Sequence, residues 1–297
     1  MKVYVVCDLE GVAGVVDFKK QCMEEGEYYQ QAIRMATMEL NALVEGAIEG
    51  GATEICAWPG HGSFPGGIDV ELIHPECNLV MHAGDGGPVG FDESFDAMML
   101  HGFHGMAGSG GVLAHSFYPF PQNIWVDDLK IGEIALNMAS FGEVGVPTVL
   151  VTGDQAAIDE ARALSRVIQT ATVKWALGEK EKLGALSIQR ALSLSPGKAQ
   201  DTIREAARRA MNKIATTKPF TIKTPFNLKV EYTEAKYAQG FKDAPGIEVL
   251  SETSFTKRCN SLDENILVRI MAPHGAVNRG VGDSLIDIPI QGSLDNY

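Results

Sequence analysis

The first fourteen residues, MKVYVVCDLEGVAG (residues 1–14), decide how the chain begins to fold. The apolar run Val3–Val6 is typical of a buried β-strand, and it is followed by two carboxylates, Asp8 and Glu10, and then by Gly11. Alternate side chains of an extended chain point the same way, so these two carboxylates share one face about 7 Å apart. Like charges held that close need a partner of opposite charge.

Beyond this strand, apolar runs of strand length alternate with amphipathic helical patterns, as they do in stacked βαβ units. The predicted strands are Glu54–Trp58, Leu79–His82, Ala97–Phe103, Ile124–Val126 and Thr148–Thr152, and the predicted helices are Tyr28–Glu49, Gly132–Val144 and Asp154–Leu164. The sequence therefore predicts an α/β fold with a mixed or parallel sheet.

The composition changes near Leu192–Gly197, where a Ser-Pro pair is typical of a helix start, and a charged helix is predicted from there to about Ile214. The elements predicted after it are a strand over Phe226–Tyr232, a strand pair within Ile247–Lys257 and a helix over Leu262–Met271. We therefore expect a catalytic α/β domain over residues 1–193 and a smaller α+β domain over 194–297, which ends in an irregular tail at 275–297.

The charge of the chain argues against two classes of partner. Its 25 basic and 38 acidic residues give a net charge of -13, and no basic run offers the positive patch that nucleic acid requires. An acidic surface also repels anionic membranes, and no apolar run is long enough to cross a bilayer. Nucleic acid and membrane are therefore not expected as partners.

The cysteines indicate a reducing compartment. The chain has 5 of them, scattered and without a C-x-x-C pair, and its N-terminus does not resemble a signal peptide. We expect reduced thiols in the core and a cytoplasmic protein.

Several of the 7 histidines lie where apolar runs end. His61 follows the strand Glu54–Trp58, His104 follows the strand Ala97–Phe103, and His115 ends the run GVLAHS. In open α/β sheets ligands bind beyond the carboxyl ends of the strands, so this topology allows the first two histidines to converge with the two carboxylates. Imidazole and carboxylate are the usual ligands of a zinc-like ion.

Each of these residues also has a purely structural interpretation. A single strand-end histidine such as His61 or His104 is more often a hydrogen-bonded core residue. Glu133, at the start of a predicted helix, complements the helix dipole. The remaining histidines are assigned structural roles: His74, His82, His101 and His274. The coincidence of several polar residues at one sheet edge is what favours a metal site.

Five segments, taken in order, resemble the D-aminopeptidase family of metallopeptidases, peptidase family M55, of the dipeptide-operon type. The segments are DLEG at Asp8–Gly11, GHGS around His61, GFHGMAG around His104, LAHS around His115 and GEIALN at Gly132–Asn137. Similarity in VPTVLVTGD and APGIEVL extends the resemblance over most of the chain.

The resemblance implies a zinc-dependent aminopeptidase that removes the first residue of short peptides, with D-residues among the candidates for that position. The metal ligands that it implies for two Zn²⁺, or for other divalent ions, are Asp8, Glu10, His61, His104 and Glu133, with Asp8 between the ions. His115 is implied as the catalytic residue, either nucleophile or acid/base, and the family forms ring-like homo-oligomers, with a decamer expected. Asn137 lies four residues after Glu133 on the same helix face, where it contacts either substrate or a neighbouring helix.

Two other functions remain open from the residues alone. Another metal-dependent hydrolase, an amidase or a phosphatase, would use the same ligands, but a phosphatase needs a cationic clamp for its substrate and no Lys or Arg is placed there by the sequence. A non-catalytic, ring-forming scaffold would use them in a closed structural metal site.

Overall fold

A computed structural model of the chain gives its fold. It describes residues 1–62, 66–81, 88–117, 120–183, 186–243 and 246–262. Of the helix predicted over Leu262–Met271, only Leu262 is among these residues. The predicted tail at 275–297, His82 and His274 lie outside them.

The strands in this part of the chain are β1 (Lys2–Cys7), β2 (Glu54–Pro59), β3 (Cys77–Leu79), β4 (Ala97–Phe103), β5 (Pro121–Val126), β6 (Leu129–Lys130), β7 (Thr148–Asp154), β8 (Gln169–Leu183), β9 (Leu186–Ser193), β10 (Phe226–Tyr232), β11 (Ile247–Ser251) and β12 (Ser254–Cys259). The helices are α1 (Tyr29–Glu49), α2 (Glu133–Glu143), α3 (Gln155–Leu164), α4 (Pro196–Met211) and α5 (Ala235–Gln239). β4 and β10 have the predicted bounds, and the strand predicted over Leu79–His82 shares only Leu79 with β3. The other predicted elements within the described residues differ by a few residues at their ends.

The first sheet has seven strands in the order β3-β2-β1-β4-β7-β8-β9. All neighbours in it are parallel except β8 and β9, which form an antiparallel hairpin. In the register of β1, Cys7 is level with Pro59 of β2 and His101 of β4. The carboxyl ends of these strands therefore lie at one edge, and the predicted α/β class with a parallel-dominated sheet is confirmed.

Both faces of the first sheet are covered, which explains why β1 is an unbroken apolar run. On one face, residues of α1 and α4 such as Leu43 and Ala207 pack on the sheet. On the other face, residues of α2 and α3 such as Ile134 and Ile158 pack around Tyr4. The two helices α1 and α4 pack closely, since a Cβ on Gly46 would lie 2.1 Å from the carbonyl oxygen of Arg204.

The second sheet has five antiparallel strands in the order β11-β12-β10-β5-β6. Its core includes Phe226, Leu228 and Phe255, and it packs on Ala135 and Leu136 of α2. Helix α2 therefore lies between the two sheets.

The two sheets do not divide at the predicted boundary between residues 193 and 194. Strands β5 and β6 come from the first part of the chain, yet β5 pairs with β10, with Val126 opposite Leu228. Helix α4, which follows the boundary, packs on the first sheet. The sequence patterns show each strand but not its partner, because pairing across about a hundred residues leaves no local signal.

None of the helices within the described residues combines the length and the apolar character that a bilayer crossing requires. All five cysteines, each of them in the described part of the chain, are free and buried.

Candidate metal centre

The two carboxylates of the N-terminal segment lie just past the end of β1, where the chain turns over β4. The backbone N–H of Asp8 donates to the carbonyl of His101 (2.8 Å), and that of Gly11 donates to the carbonyl of Gly102 (2.7 Å). A Cβ at Gly11 would lie 2.0 Å from the carbonyl oxygen of Phe103, so only glycine allows this approach. The sequence DLEG is therefore a strand end that brings both carboxylates against the neighbouring strand.

Residues from three other elements meet these carboxylates. His61 follows β2, and its Nδ1 lies 2.9 Å from Glu10 Oε2 and 3.4 Å from Asp8 Oδ1. His104 follows β4, and its Nε2 lies 3.4 Å from both Asp8 Oδ2 and Glu133 Oε1. Glu133 is the first residue of α2. The structure thus brings together all five predicted ligands, with Asp8 between the two histidines.

The outer ring nitrogen of each histidine binds a backbone carbonyl. His61 Nε2 lies 2.7 Å from the carbonyl oxygen of Cys22, and His104 Nδ1 lies 3.0 Å from that of Gly105. Because a carbonyl can only accept, these ring nitrogens are the donors. The opposite nitrogen of each ring, which faces the carboxylates, is left to hold either a proton or a metal ion. Metal-binding histidines are commonly oriented in this way.

Two carboxylate oxygens in the cluster face imidazole nitrogens and accept no other hydrogen bond. Asp8 Oδ2 faces His104 and Glu10 Oε2 faces His61, both oxygens are buried, and Glu10 as a whole is only 2% exposed. Unpaired buried carboxylates are costly, and a cation removes that cost. The residues therefore fit a divalent metal by ligand type, by ring orientation and by their buried carboxylate oxygens.

The shifted pKa values show that the buried carboxylates stabilise positive charge in the site. Burial, and then the charge of Glu10, raises the pKa of Asp8 to about 7. Burial opposes ionisation of Glu10 as well, but His61 holds the pKa of Glu10 well below its usual range. Burial alone would lower the pKa of His104, yet Glu133 raises it to about 10. Without a metal, protonated imidazoles take the place of the cation, so protons and metal ions compete for this site.

His115 lies in the loop between β4 and β5, beside His104. The two imidazole rings are stacked with centroids 4.0 Å apart, and His115 Nε2 lies 4.0 Å from Glu10 Oε1. The ring is oriented by its Nδ1, which donates to the carbonyl of Leu113 (2.8 Å). Burial, together with His104, lowers the pKa of His115. A neutral His115 therefore presents the Nε2 lone pair to the centre.

The His115 loop is held in a strained backbone conformation. Leu113 and Phe117, two residues on either side, have positive φ angles of 58° and 60°. The loop is fixed by Asp154 Oδ2, which accepts from the N–H of Val112 (2.7 Å), and by Glu133 Oε1, which accepts from the N–H of Phe117 (2.7 Å). Strain of this kind is found where a side chain must be aimed.

Among the described residues, His115 also belongs to one of two groups of side chains that could hold an ion. The ligand atoms of His104, His115 and Glu133 lie within 4.8 Å of one another, and so do those of Asp8, Glu10 and His104. Coordination and proton transfer are both open to His115 by distance, so its predicted catalytic role stays a prediction at this point.

Asn137 lies on the same face of α2 as Glu133, as predicted. Its Nδ2 donates to the carbonyl of Glu133 (2.9 Å), and its Oδ1 is buried without a hydrogen-bond partner. That bond anchors the side chain to its own helix, and contact with substrate stays a prediction.

The structural assignments made for two other histidines agree with their surroundings. His101 is fully buried between Thr152 Oγ1 (3.2 Å) and the carbonyl of Ala36 (3.1 Å), and burial lowers its pKa to about 4. His74 accepts from the N–H of Glu76 (3.1 Å).

Sequence reasoning missed several residues that support the site. The turn Phe18–Cys22 provides the carbonyl that orients His61, and the ring of Phe18 contacts that of His115 edge-on at 5.6 Å. Glu160 Oε2 accepts from the N–H of Met106 (3.1 Å), two residues beyond His104. Lys174 of β8, whose Nζ donates to the backbone carbonyls of Glu10, Val12 and Val15, was also missed. Its signal was a lysine inside the apolar run TATVKWAL, which is unusual for a buried strand.

Glu39 of α1 supports the segment after Glu10. Its Oε1 accepts from the N–H of Ala13 (3.0 Å), whereas its Oε2 is buried without a hydrogen-bond partner. Burial raises the pKa of Glu39 to about 8. The folded protein therefore holds this carboxyl in its protonated form near neutral pH.

Comparisons with known proteins agree with this geometry. The model of the Peptidase M55 family, described as D-aminopeptidase, matches residues 1–271. A D-aminopeptidase of Bacillus subtilis (strain 168) is 29% identical over 259 residues, which cover 86% of this chain and 89% of that protein. The solved structure of the Zn-dependent D-aminopeptidase DppA from Bacillus subtilis, described as a self-compartmentalizing protease, matches with a TM-score of 0.83 and 26% identity, over 95% of this chain and 100% of that chain.

We expect Glu39→Gln to remove part of the loss of stability that accompanies a rise in pH. A carboxyl whose pKa is 4.5 when unfolded and about 8 when folded binds its proton more tightly in the folded state. This group therefore contributes its whole share of the free energy of unfolding below pH 4.5. Between pH 4.5 and about pH 8 that contribution falls by about 1.4 kcal/mol per pH unit.

Urea unfolding of the metal-free protein at pH 5, 6, 7 and 8 measures this slope. The variant should match the wild type at low pH and exceed it at pH 8. The matched control is the exposed Glu76→Gln, which should leave the slope unchanged. Parallel stability curves for wild type and Glu39→Gln would show that Glu39 does not carry the effect.

Proposed function

The chain belongs to peptidase family M55, the D-aminopeptidases, and from this membership we propose that it is a zinc-dependent aminopeptidase that cleaves the first peptide bond of short peptides, including peptides that begin with a D-residue. The observation that carries the proposal is the convergence of two histidines and three carboxylates at the carboxyl edge of the first sheet, where two buried carboxylate oxygens accept no hydrogen bond beyond the imidazole contacts.

The proposed ligands of two Zn²⁺ are Asp8, Glu10, His61, His104 and Glu133. The position of Asp8, with one oxygen toward each histidine, suits a carboxylate shared by two ions. When bound, zinc supplies a Lewis acid for the scissile carbonyl and lowers the pKa of water toward about 7. Other divalent ions that accept imidazole and carboxylate ligands fit the same residues.

His115 is proposed to move the proton in this reaction. Its Nδ1 is occupied by the carbonyl of Leu113, so its Nε2 is the atom that accepts a proton from the attacking group and later donates it to the leaving amine. The lowered pKa keeps this nitrogen free to accept near neutral pH. Its stacking on His104 keeps the ring beside the centre.

The proposed metal content favours a substrate with a free amino group. An unblocked α-amino group, as the neutral amine, would be a nitrogen ligand of the kind that zinc accepts, whereas an acetylated one would not. A phosphatase is disfavoured because the nearby Lys174 ammonium is directed to backbone carbonyls, where it is unavailable as a phosphate clamp.

Assembly and location extend the proposal. The similar structure is described as a self-compartmentalizing protease, and we propose that this chain likewise forms a ring-like homo-oligomer, a decamer, in the cytoplasm. Light scattering decides the first point, since a monomeric mass would overturn it, and cell fractionation decides the second.

The metal-loaded protein should contain two zinc ions per chain, and Asp8→Ala should lose most of them. Asp8 contacts both histidines, so its removal affects both positions. Elemental analysis after zinc loading and dialysis measures the count, with Asp128→Ala, an exposed aspartate in the β5–β6 turn, as the control. A full count in Asp8→Ala would exclude it as a shared ligand.

His115→Ala should keep the metal and lose turnover. General acid/base catalysis contributes roughly 100- to 10,000-fold, so kcat should fall within that range while the zinc count stays at the wild-type value. His74→Ala, away from the site, should change neither. Loss of zinc together with activity would instead assign His115 to coordination.

Acetylation of the substrate's amino group should abolish cleavage. The amino group fixes which carbonyl faces the centre, so its loss should affect kcat as well as KM. A parallel assay of D-Ala-Gly-Gly and N-acetyl-D-Ala-Gly-Gly measures the effect. Similar rates for the two peptides would favour an amidase that acts on internal bonds.

A further inference from the structure

Lys174, in the middle of β8, is fully buried beside the proposed metal centre. Its Nζ donates to the backbone carbonyls of Glu10, Val12 (3.2 Å) and Val15. These carbonyls belong to the segment that leaves the site after Glu10. A side chain from the far part of the sequence therefore contacts the main chain of a proposed ligand.

The Lys174 ammonium has no carboxylate in ion-pair contact among the residues that the structure describes. Burying an ammonium group is costly unless polar groups compensate it, and here three carbonyl oxygens do so. The carbonyls in turn need a donor, because they are buried away from water. Lysine and segment thus satisfy each other's hydrogen bonds.

Other buried groups fix the same segment, referred to below as the Glu10–Val15 segment. The N–H of Ala13 is bound by Glu39, and the N–H of Gly14 donates to Ser193 Oγ (2.8 Å). Ser193 is the partner of Lys174 in the β8–β9 pairing. The β8–β9 hairpin therefore supplies two of the side chains that determine the path of this segment.

The orientation of Glu10 depends on that path. Glu10 Oε2 faces His61 Nδ1 (2.9 Å) but accepts no backbone N–H, whereas Asp8 Oδ1 accepts from the N–H of Leu9 (2.8 Å). A carboxylate without such a bond is aimed by its backbone and its packing. The backbone carbonyl of Glu10 accepts from Lys174 Nζ. The N–H of the next residue, Gly11, donates to the carbonyl of Gly102 in β4.

We propose that Lys174 is a positioning residue for the metal centre, whose ammonium acts as a built-in cation that fixes the Glu10–Val15 segment and thereby aims the carboxylate of Glu10. This inference rests on the proposed function, because it assigns Glu10 to metal binding. It predicts that neutralising a residue that touches no metal weakens metal binding.

Lys174→Met should lower zinc affinity roughly 10- to 100-fold, the range seen when a partner of a metal ligand is removed. Competition with a chromogenic chelator measures the affinity, and far-UV circular dichroism establishes that the variant is folded. With the zinc sites saturated, kcat should fall more than KM rises, because the Glu10 carboxylate is misaimed while substrate contacts remain. The matched control is Lys229→Met, an exposed lysine on a strand of the second sheet.

A chemical rescue separates positioning from bulk packing. In Lys174→Ala, n-propylammonium replaces the missing carbons and the ammonium group, and it should restore zinc affinity, whereas n-propanol should not. Equal effects of the two additives, or a folded Lys174→Met with wild-type affinity and kcat, would overturn the inference.

If Lys174→Met does not fold, Lys174→Arg takes its place. A guanidinium keeps the charge but moves the donors, so a folded Lys174→Arg should still bind zinc more weakly, and wild-type affinity in it would overturn the inference. Failure of the wild-type protein itself to bind zinc would overturn the proposed function and this inference with it. Zinc binding in the wild type with unchanged variants would overturn this inference alone.

Discussion

The burial of like charges at one sheet edge is the constraint on which the rest of the structure depends. Asp8 contacts both His61 and His104, Glu10 contacts His61, and Glu133 contacts His104. Two of the buried carboxylate oxygens accept no hydrogen bond beyond these imidazole contacts. Such a cluster is unfavourable for folding unless cations complete it. A site built in this way gives up stability in the metal-free protein in return for strong attraction of a divalent ion.

The architecture makes this arrangement possible by bringing three strand ends and one helix start to the same place. Parallel neighbours on both sides of β1 align the carboxyl ends of three strands, and Gly11 lets the turn after β1 approach β4. Helix α2 lies between the sheets and directs Glu133 from its first position. Four of the proposed ligands thus lie within three residues of a strand end and the fifth begins α2, so rigid elements fix where their backbones lie.

Local sequence patterns were sufficient for the elements that supply ligands. The strand Ala97–Phe103 was predicted with its observed bounds because it is buried throughout and reads as one apolar run. His61 and His104 were placed at strand ends for the same reason. The β8–β9 hairpin and the pairing of β5 with β10 were not predicted, since the charged GEKEK run hides the first and the second joins distant parts of the chain.

The residues that aim the ligands were the hardest to predict, for a physical reason that Lys174 illustrates. A metal ligand is recognisable from its residue type and its position at a strand end. A residue that binds backbone carbonyls is not, because every residue type carries a carbonyl and the bound segment can therefore have any sequence. Lys174 reaches a segment more than 150 positions away and contacts only main-chain oxygens of it. No pattern near Glu10 could therefore indicate it. The run TATVKWAL did indicate that a charged side chain lies in a buried strand, where polar groups must compensate the charge. Only the fold shows that the compensating groups are the carbonyls of the Glu10–Val15 segment.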